Sequence, residues 1–470
     1  MSPEKNFHED ATASKATVNG SKNLSSKNTA PSDIRHINPL DRHTWHVWMW
    51  EPTPAKGVLT QDGITQIAFH KYTAGRYTAL DRWLNPIWQF LTETLLPISM
   101  APNLVTALGG LHCFLSFIVT WHYSPNYDVP VPSWVLLVNA YCTIACYTLD
   151  CMDGKQARRT GSSSPLGQLF DHGVDCLCTL GHFSSFQAWC LLGGSQSPLF
   201  FFSGQVVLLS AFFMAQWEEY YTGVLPHATG EFGVTELNYG LGVLSILNAL
   251  IWWNRDVERN DFYSQPVSNI MPLDLKVHLE RFGDVIVRPL VGNAVADNLF
   301  SDLKVKESII GCWMLMMFGL MLLSTGRVWT HCQTSMKVRL SALSKLLTPL
   351  TLSAAPFFFA RDVLAEETRA ISLAIGLSFC LITIKLIVFS MARQAYAVIQ
   401  WDTLPIFLVT AWTAYDDNFK PAGIRLVWHL TGLWYIFRIY MWTSAAIQQI
   451  LQRLNIRLFV LTKSSNNREV

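Results

Sequence analysis

Leu149-Asp150-Cys151-Met152-Asp153-Gly154-Lys155-Gln156-Ala157-Arg158-Arg159-Thr160-Gly161-Ser162-Ser163-Ser164-Pro165-Leu166-Gly167-Gln168-Leu169-Phe170-Asp171-His172-Gly173-Val174-Asp175 is the stretch on which the reading of this chain turns. It stands between two apolar runs, Val129–Leu149 and Cys176–Trp217, which contain no Asp, Glu, Lys or Arg. The second run is 42 residues long. A spanning helix takes about 20, so that run holds two. Carboxylates at such borders are costly, roughly 2.5–3.5 kcal/mol for Asp at a helix centre on insertion scales. Here four stand together.

Spacing gives them a geometry. Asp150 and Asp153 are three apart and share a face at the end of one span. Gly167, Asp171 and Asp175 repeat every four and share a face at the start of the next. Ser162-Ser163-Ser164-Pro165 makes a tight return, so the spans are expected to be antiparallel neighbours with opposed acidic faces. Four carboxylates that close repel unless cations sit among them. All-oxygen donors favour Mg²⁺ or Mn²⁺, and four Asp suit two ions per site. Gly154 and Ala157 remove bulk beside those ions, so phosphates can approach the helix, and Arg158 offers them a guanidinium. For any single Asp, a solvated salt bridge with Lys155 or Arg159 is the plainer reading. For four on converging faces it is not. Positive-inside topology accounts for Lys155 and Arg159.

The rest of the chain fits a membrane protein. Of 470 residues, 50% are hydrophobic and 15% charged, and the net charge is 35 − 34 = +1. An average soluble chain carries about 25% charged residues. The balance excludes a nucleic-acid binder, and the apolar content excludes a disordered regulator. The uncharged runs predict an all-α polytopic integral membrane protein with about ten transmembrane helices, at 103–123, 132–150, 167–193, 198–223, 236–253, 307–328, 343–360, 370–392, 403–415 and 425–450. The organisation is then a disordered tail (1–45), a juxtamembrane and interfacial segment (46–102), a catalytic block of helices one to five (103–253), a long polar loop (254–306), helices six to ten (307–450) and a C-terminal tail (451–470). Residues 80–100 read as an amphipathic helix lying in the interface. The tail has no apolar signal region. Lys155, Arg158, Arg159, Arg327, Lys337, Arg339 and the basic C-terminal residues set one side as cytosolic, with both termini and the acidic cluster at that membrane edge. Basic residues within 255–306 fall on the other side, a tension that long loops permit. The ten Cys show no CxxC pair and no metal-finger spacing, so neither a disulfide framework nor a zinc site is indicated. His43 and His46 read as polar residues in a Trp-rich stretch.

The acidic segment also resembles a known signature. Asp-x-x-Asp-Gly-x-x-Ala-Arg, eight residues, then Gly-x-x-x-Asp-x-x-x-Asp is similar to the motif of the CDP-alcohol phosphotransferases, matched at every fixed position from Asp150 to Asp175. Leu169-Phe170-Asp171-His172-Gly173, His70-Lys71-Tyr72, Pro102-Asn103-Leu104-Val105-Thr106 and Trp217-Glu218-Glu219-Tyr220-Tyr221 resemble the eukaryotic choline/ethanolamine phosphotransferase branch. The likeness covers about 65–450, without the insertion at 255–306.

The resemblance implies an enzyme that transfers phosphocholine or phosphoethanolamine from CDP-choline or CDP-ethanolamine to diacylglycerol, releasing CMP and forming phosphatidylcholine or phosphatidylethanolamine. It implies metal binding by Asp150, Asp153, Asp171 and Asp175, with Asp175 also the general base. Gly154, Ala157, Arg158 and Gly167 fall to nucleotide and phosphate, as do Asn103 and Thr106, which a helix N-terminal polar turn explains equally well. Glu218 and Tyr220 are assigned to a head-group pocket, against an ordinary aromatic belt. His172 is a packing histidine or an aid to proton transfer, Glu236 a helix N-terminal partner, and Lys385 paired or snorkelling. The family expectation is the endoplasmic reticulum, with the Golgi as alternative, and a homodimer. Two other classes compete. An aspartate-rich prenyltransferase needs two separate Asp motifs, and a cation-binding transporter needs acids at the midplane. One compact cluster at span ends disfavours both.

Overall fold

The computed structural model describes residues 57–272, 281, 288–291, 303–333, 335–359, 361–415 and 421–461. The expected N-terminal disordered tail, His43 and His46 lie outside the described residues, as do parts of the long polar loop and of the C-terminal tail. Apart from a two-stranded ribbon, β1 (Ala228–Thr229) with β2 (Phe232–Gly233), the described chain is helical. The helices that matter here are α1 (Gln61–Ala68), α2 (Ala79–Leu95), α3 (Pro102–Tyr123), α4 (Ser133–Thr160), α5 (Pro165–Cys190), α6 (Pro198–Thr222), α7 (Val234–Ile251), α8 (Asp256–Ser264), α9 (Val305–His331), α10 (Met336–Ser344), α11 (Leu347–Ala354), α12 (Thr368–Met391), α13 (Leu404–Tyr415) and α14 (Pro421–Leu454).

Six of these, α3, α4, α6, α7, α9 and α12, are long and apolar enough to cross a membrane, which makes this an integral membrane protein. Two expected spans differ in extent. The second runs ten residues past Asp150, to Thr160, because Lys155-Gln156-Ala157-Arg158-Arg159 are good helix formers. It stops at Gly161, whose φ of +63° closes the helix in the left-handed region. The expected helix at 343–360 is broken into the end of α10, α11 and a 3₁₀ turn at Ala355–Phe358, where Pro356 supplies no amide donor. The long polar loop opens with α8 rather than with irregular chain.

Ser164 caps α5 by accepting from the Gly167 amide, with Pro165 in the first turn. The four residues 161–164 therefore reverse the chain, and α5 returns beside α4. Between them runs α3, packed along both. Its polar side chains fix the register. Ser116 donates to Asn139 of α4 (2.8 Å) and meets Ser185 of α5 (2.7 Å), and Asn139 donates to Thr120 (2.9 Å). Gly181 is where α5 and α3 come closest: a Cβ there would stand 2.9 Å from the Cys113 carbonyl oxygen and against its sulfur.

Helix α2 is held on the last turns of α4. Lys155 donates to Asn85, and Arg159 donates to the Thr92 and Leu96 carbonyls at its C-terminal end. The two residues that topology alone seemed to explain are thus structural clamps as well. At the same end, the Val58 and Leu59 amides donate to Gln449 of α14 (2.8 and 3.0 Å), and Asn103 donates to the Leu458 carbonyl. At the opposite end, three buried cations bond carbonyl oxygens at helix ends and in the connection between α3 and α4. Arg369 reaches Ser124 and Pro125, Arg259 reaches Val131, and Lys306 reaches Leu191. Helix α12, buried almost all round, backs α5, α6 and α14. Its Lys385 is paired with Asp402 (2.7 Å), which also receives Arg438 (2.7 Å).

Gly181→Ala is expected to force α3 and α5 apart and to destabilise by about 1–3 kcal/mol, the usual range for overpacking. Thermal unfolding of the detergent-solubilised variant measures it; a midpoint equal to wild type would mean the two helices have room to spare.

Candidate active site

The end of α4 and the start of α5 bring Asp150, Asp153 and Asp171 together, each offering a carboxylate oxygen within 4.8 Å of the others. Two unit charges at that separation repel by on the order of 3 kcal/mol at an effective dielectric of about 20. Asp153 is buried and accepts a short hydrogen bond from the Thr106 hydroxyl of α3. Asp171 Oδ1 is buried with no hydrogen-bond partner. A buried carboxylate oxygen without a donor is rare, and an ion is one of its ordinary explanations. The donor set is all oxygen and acidic, so it fits a hard divalent cation held by Asp150, Asp153 and Asp171. Asp175 lines the same cavity, and with Asp150 it also borders a small void beneath, on whose far side lies Thr106.

The other sequence-predicted residues divide. Arg158 lines the cavity, and its guanidinium lies over Gly154, where a Cβ would meet Nη1 at 3.6 Å. Ala157 is half-buried and does not line the cavity. Gly167 and Asn103 adjoin one another, a Cβ on the glycine falling 3.7 Å from Asn103 Oδ1, but neither reaches the cavity. Glu218 does line it, yet Arg327 grips both carboxylate oxygens (2.5 and 2.8 Å) and Ser324 adds a third bond (2.7 Å). Tyr220 is buried elsewhere, its hydroxyl donating to the Gln394 carbonyl (3.1 Å). The structure does not bring the expected head-group pair together. Glu236 binds the Gly233 amide (2.8 Å) at the start of α7.

Some of the residues facing the carboxylates carry no strong signal in the sequence. The Tyr72 hydroxyl meets His227 Nε2 at 2.6 Å. Burial pushes the His227 pKa down, which keeps the ring neutral and its nitrogen able to accept. The edge of the Tyr72 ring meets His172, 5.6 Å between centroids. His172 is buried, with Nε2 4.0 Å from Asp171 Oδ2 and Nδ1 without a partner. Behind it, His70 meets Gln168 (2.7 Å), and Gln168 donates to Glu219 (3.0 Å). Of these, His70, Tyr72 and His172 lie in segments the family likeness picked out. His227 lies in the loop before the ribbon, and nothing in its local sequence marks it.

The cavity has a volume of about 890 Å³. The carboxylates, Arg158 and Tyr72 line it together with the Glu218–Arg327 pair, and much of the remaining lining is apolar, including Leu241 and Leu244 of α7 and Trp313 and Met317 of α9. A cation-seeking cluster beside an arginine, on the wall of a largely oily chamber within a helical membrane bundle, places the protein among membrane-embedded enzymes that handle phosphate esters. The comparison with known families makes that class particular: residues 99–254 match the model of the CDP-alcohol phosphatidyltransferase family. It is 26% identical to mouse ethanolaminephosphotransferase 1 over 85% of its own length and 94% of that protein's. It is 25% identical to choline/ethanolaminephosphotransferase 1 of Arabidopsis thaliana over 87% and 99%. A shorter stretch of 190 residues is 37% identical to bovine cholinephosphotransferase 1, covering 40% and 46% of the two chains.

Magnesium at a hundredfold excess over its Kd is expected to stabilise the wild-type protein by about 2.7 kcal/mol. Asp150→Ala, Asp153→Ala and Asp171→Asn should each lose that gain, read as a missing Mg²⁺-dependent rise in the unfolding midpoint. An undiminished rise in all three would reduce the cluster to solvated ion pairing.

Proposed function

We propose that this enzyme transfers phosphocholine or phosphoethanolamine from CDP-choline or CDP-ethanolamine to diacylglycerol. The observation that carries the reading is the mixed lining of the cavity, which joins the acids and Arg158 to a large apolar surface from α7 and α9. A water-soluble diphosphate suits the first part and an acylated glycerol the second. Similarity over most of the chain to proteins named ethanolaminephosphotransferase and choline/ethanolaminephosphotransferase supports the same substrates.

Asp150, Asp153, Asp171 and Asp175 would hold two divalent ions, Mg²⁺ or Mn²⁺, which when bound neutralise the donor's diphosphate and stabilise the leaving CMP. Arg158, lying over Gly154, pairs with a phosphate oxygen. Asp175 takes the proton from the diacylglycerol hydroxyl. That oxygen forms a bond to the β-phosphorus, the bond from that phosphorus to the bridging oxygen breaks, and CMP leaves with the bridging oxygen. The proton passes from Asp175 to solvent. His172, whose Nε2 lies 4.0 Å from Asp171 and whose Nδ1 has no partner, is the second residue to weigh as base. Glu218 is already neutralised by Arg327, and Tyr220 is turned away, so the head-group pocket is not assigned to them.

The acceptor enters sideways between α7 and α9, where Leu244 and Met316 are both exposed and cavity-lining. An even number of membrane crossings, ten on this reading, with the site at the cytosolic edge, is supported by Leu59 with Gln449 and Asn103 with Leu458, which tie the first and last described segments to the acidic end of the bundle. The residence is the endoplasmic reticulum, as expected for a phospholipid-forming transferase.

Purified protein assayed with diacylglycerol, Mg²⁺ and each labelled CDP-alcohol tests the proposal; no labelled phospholipid from either donor would end it. Asp175→Asn should lower turnover by about 10²–10⁴-fold while binding of CDP-alcohol persists, the usual cost of losing a general base. If His172→Asn shows that loss and Asp175→Asn does not, the base is His172. Leu241→Trp with Met317→Trp should raise KM for diacylglycerol and leave KM for the donor unchanged, and equal effects on both substrates would place the acceptor elsewhere.

A further inference from the structure

One turn further into the bundle lies a second ligand set of opposite chemistry. Cys146 precedes Asp150 by four residues on α4, and Cys178 and His182 follow Asp175 by three and seven on α5. Cys113 faces them from α3, its sulfur 3.3 Å from the Cys178 carbonyl oxygen. The Cys113 and Cys146 sulfurs and a ring nitrogen of His182 lie within 4.8 Å of one another. Cys178 completes the group, its sulfur 3.8 Å from that of Cys146. Two thiolates bound to one tetrahedral zinc at about 2.3 Å each stand about 3.8 Å apart. The observed spacing is that of a tetrahedron's edge.

Two further observations point to a ligand. His182 Nε2 is buried and makes no hydrogen bond. A buried ring nitrogen left unmatched is destabilising, and a metal bond relieves it. Cys146, Cys178 and His182 also line the main cavity, so an ion has a way in. The three cysteines are buried and free of disulfides. Soft sulfur donors do not compete with carboxylates for Mg²⁺, so the two sets select different ions.

We propose that Cys113, Cys146, Cys178 and His182 form a structural site for one zinc ion, which staples α3, α4 and α5 directly beneath the carboxylates. Three S–H protons leave to solvent as the three sulfur–zinc bonds form, and neutral His182 contributes its lone pair; no electrons are transferred. The ion fixes the relative height of α4 and α5, and so the distances among Asp150, Asp153 and Asp171.

The test uses the full chain, purified in detergent from zinc-replete cells and dialysed against Mg²⁺ buffer. Elemental analysis should find about one zinc per chain. Cobalt added to the chelator-stripped protein should give the intense visible bands of a tetrahedral thiolate site. Cys146→Ser and His182→Ala should each lose zinc and bands, while Asp153→Asn and Cys312→Ser keep both. Wild-type protein without zinc and without cobalt bands overturns the proposal whatever the variants do. Zinc retained in both Cys146→Ser and His182→Ala overturns it too, as does a Cys146–Cys178 disulfide in the unreduced protein. Because the readout is metal content, failure here leaves the transferase reading untouched.

Discussion

Everything in this molecule accommodates one electrostatic demand: several carboxylates are gathered where two apolar helices turn back on each other. A pair of isolated helices could not hold them, since like charges would swing the ends apart. The geometry survives because α3 lies along both helices and ties them through Ser116, Asn139 and Ser185 well away from the acids. It also survives because Lys155 and Arg159 spend their charge on α2. Local repulsion is thus opposed by packing at a distance, and a divalent ion then turns repulsion into attraction.

The opposite end of the bundle obeys a complementary rule. Arg259, Lys306 and Arg369 are buried and bonded to backbone carbonyl oxygens, Arg369 and Lys306 at the C-terminal ends of α3 and α5 and Arg259 in the connection before α4. A helix C-terminus carries partial negative charge, so the first two cations are favoured there. This eases the apparent conflict over basic residues around the long polar loop. Two of them, Arg259 and Lys306, hold the backbone together, and the topology rule counts cations without asking what they bind.

Helix positions were legible because uncharged runs announce themselves. The extension of α4 through Thr160 was not, since charge suggests the end of a span while Lys, Gln, Ala and Arg continue a helix. Asp150, Asp153 and Asp171 could be paired from spacing alone, and the structure brings them together. The place of α3 could not, because nothing local says which helix fills the groove between two others. Tyr72 and His227 come from separate loops and meet only through tertiary structure. The thiol–imidazole cluster hides for the same reason. Spacing rules for zinc look within one segment, and these four ligands come from three helices.

On the proposed route of entry, the opening between α7 and α9 also decides what concentration means for this enzyme. A lipid arriving through that face is met in two dimensions, so the relevant quantity is its mole fraction in the bilayer rather than its amount per volume. Diluting the membrane with inert phospholipid would starve the chamber at constant total acceptor, whereas diluting the water would starve it only of the nucleotide donor. The newly made phospholipid returns to the sheet from which its precursor came, and the nucleotide fragment returns to the aqueous phase. Substrates and products alike are divided between the two phases, so this geometry sets the encounter rates of both directions and leaves the equilibrium unchanged.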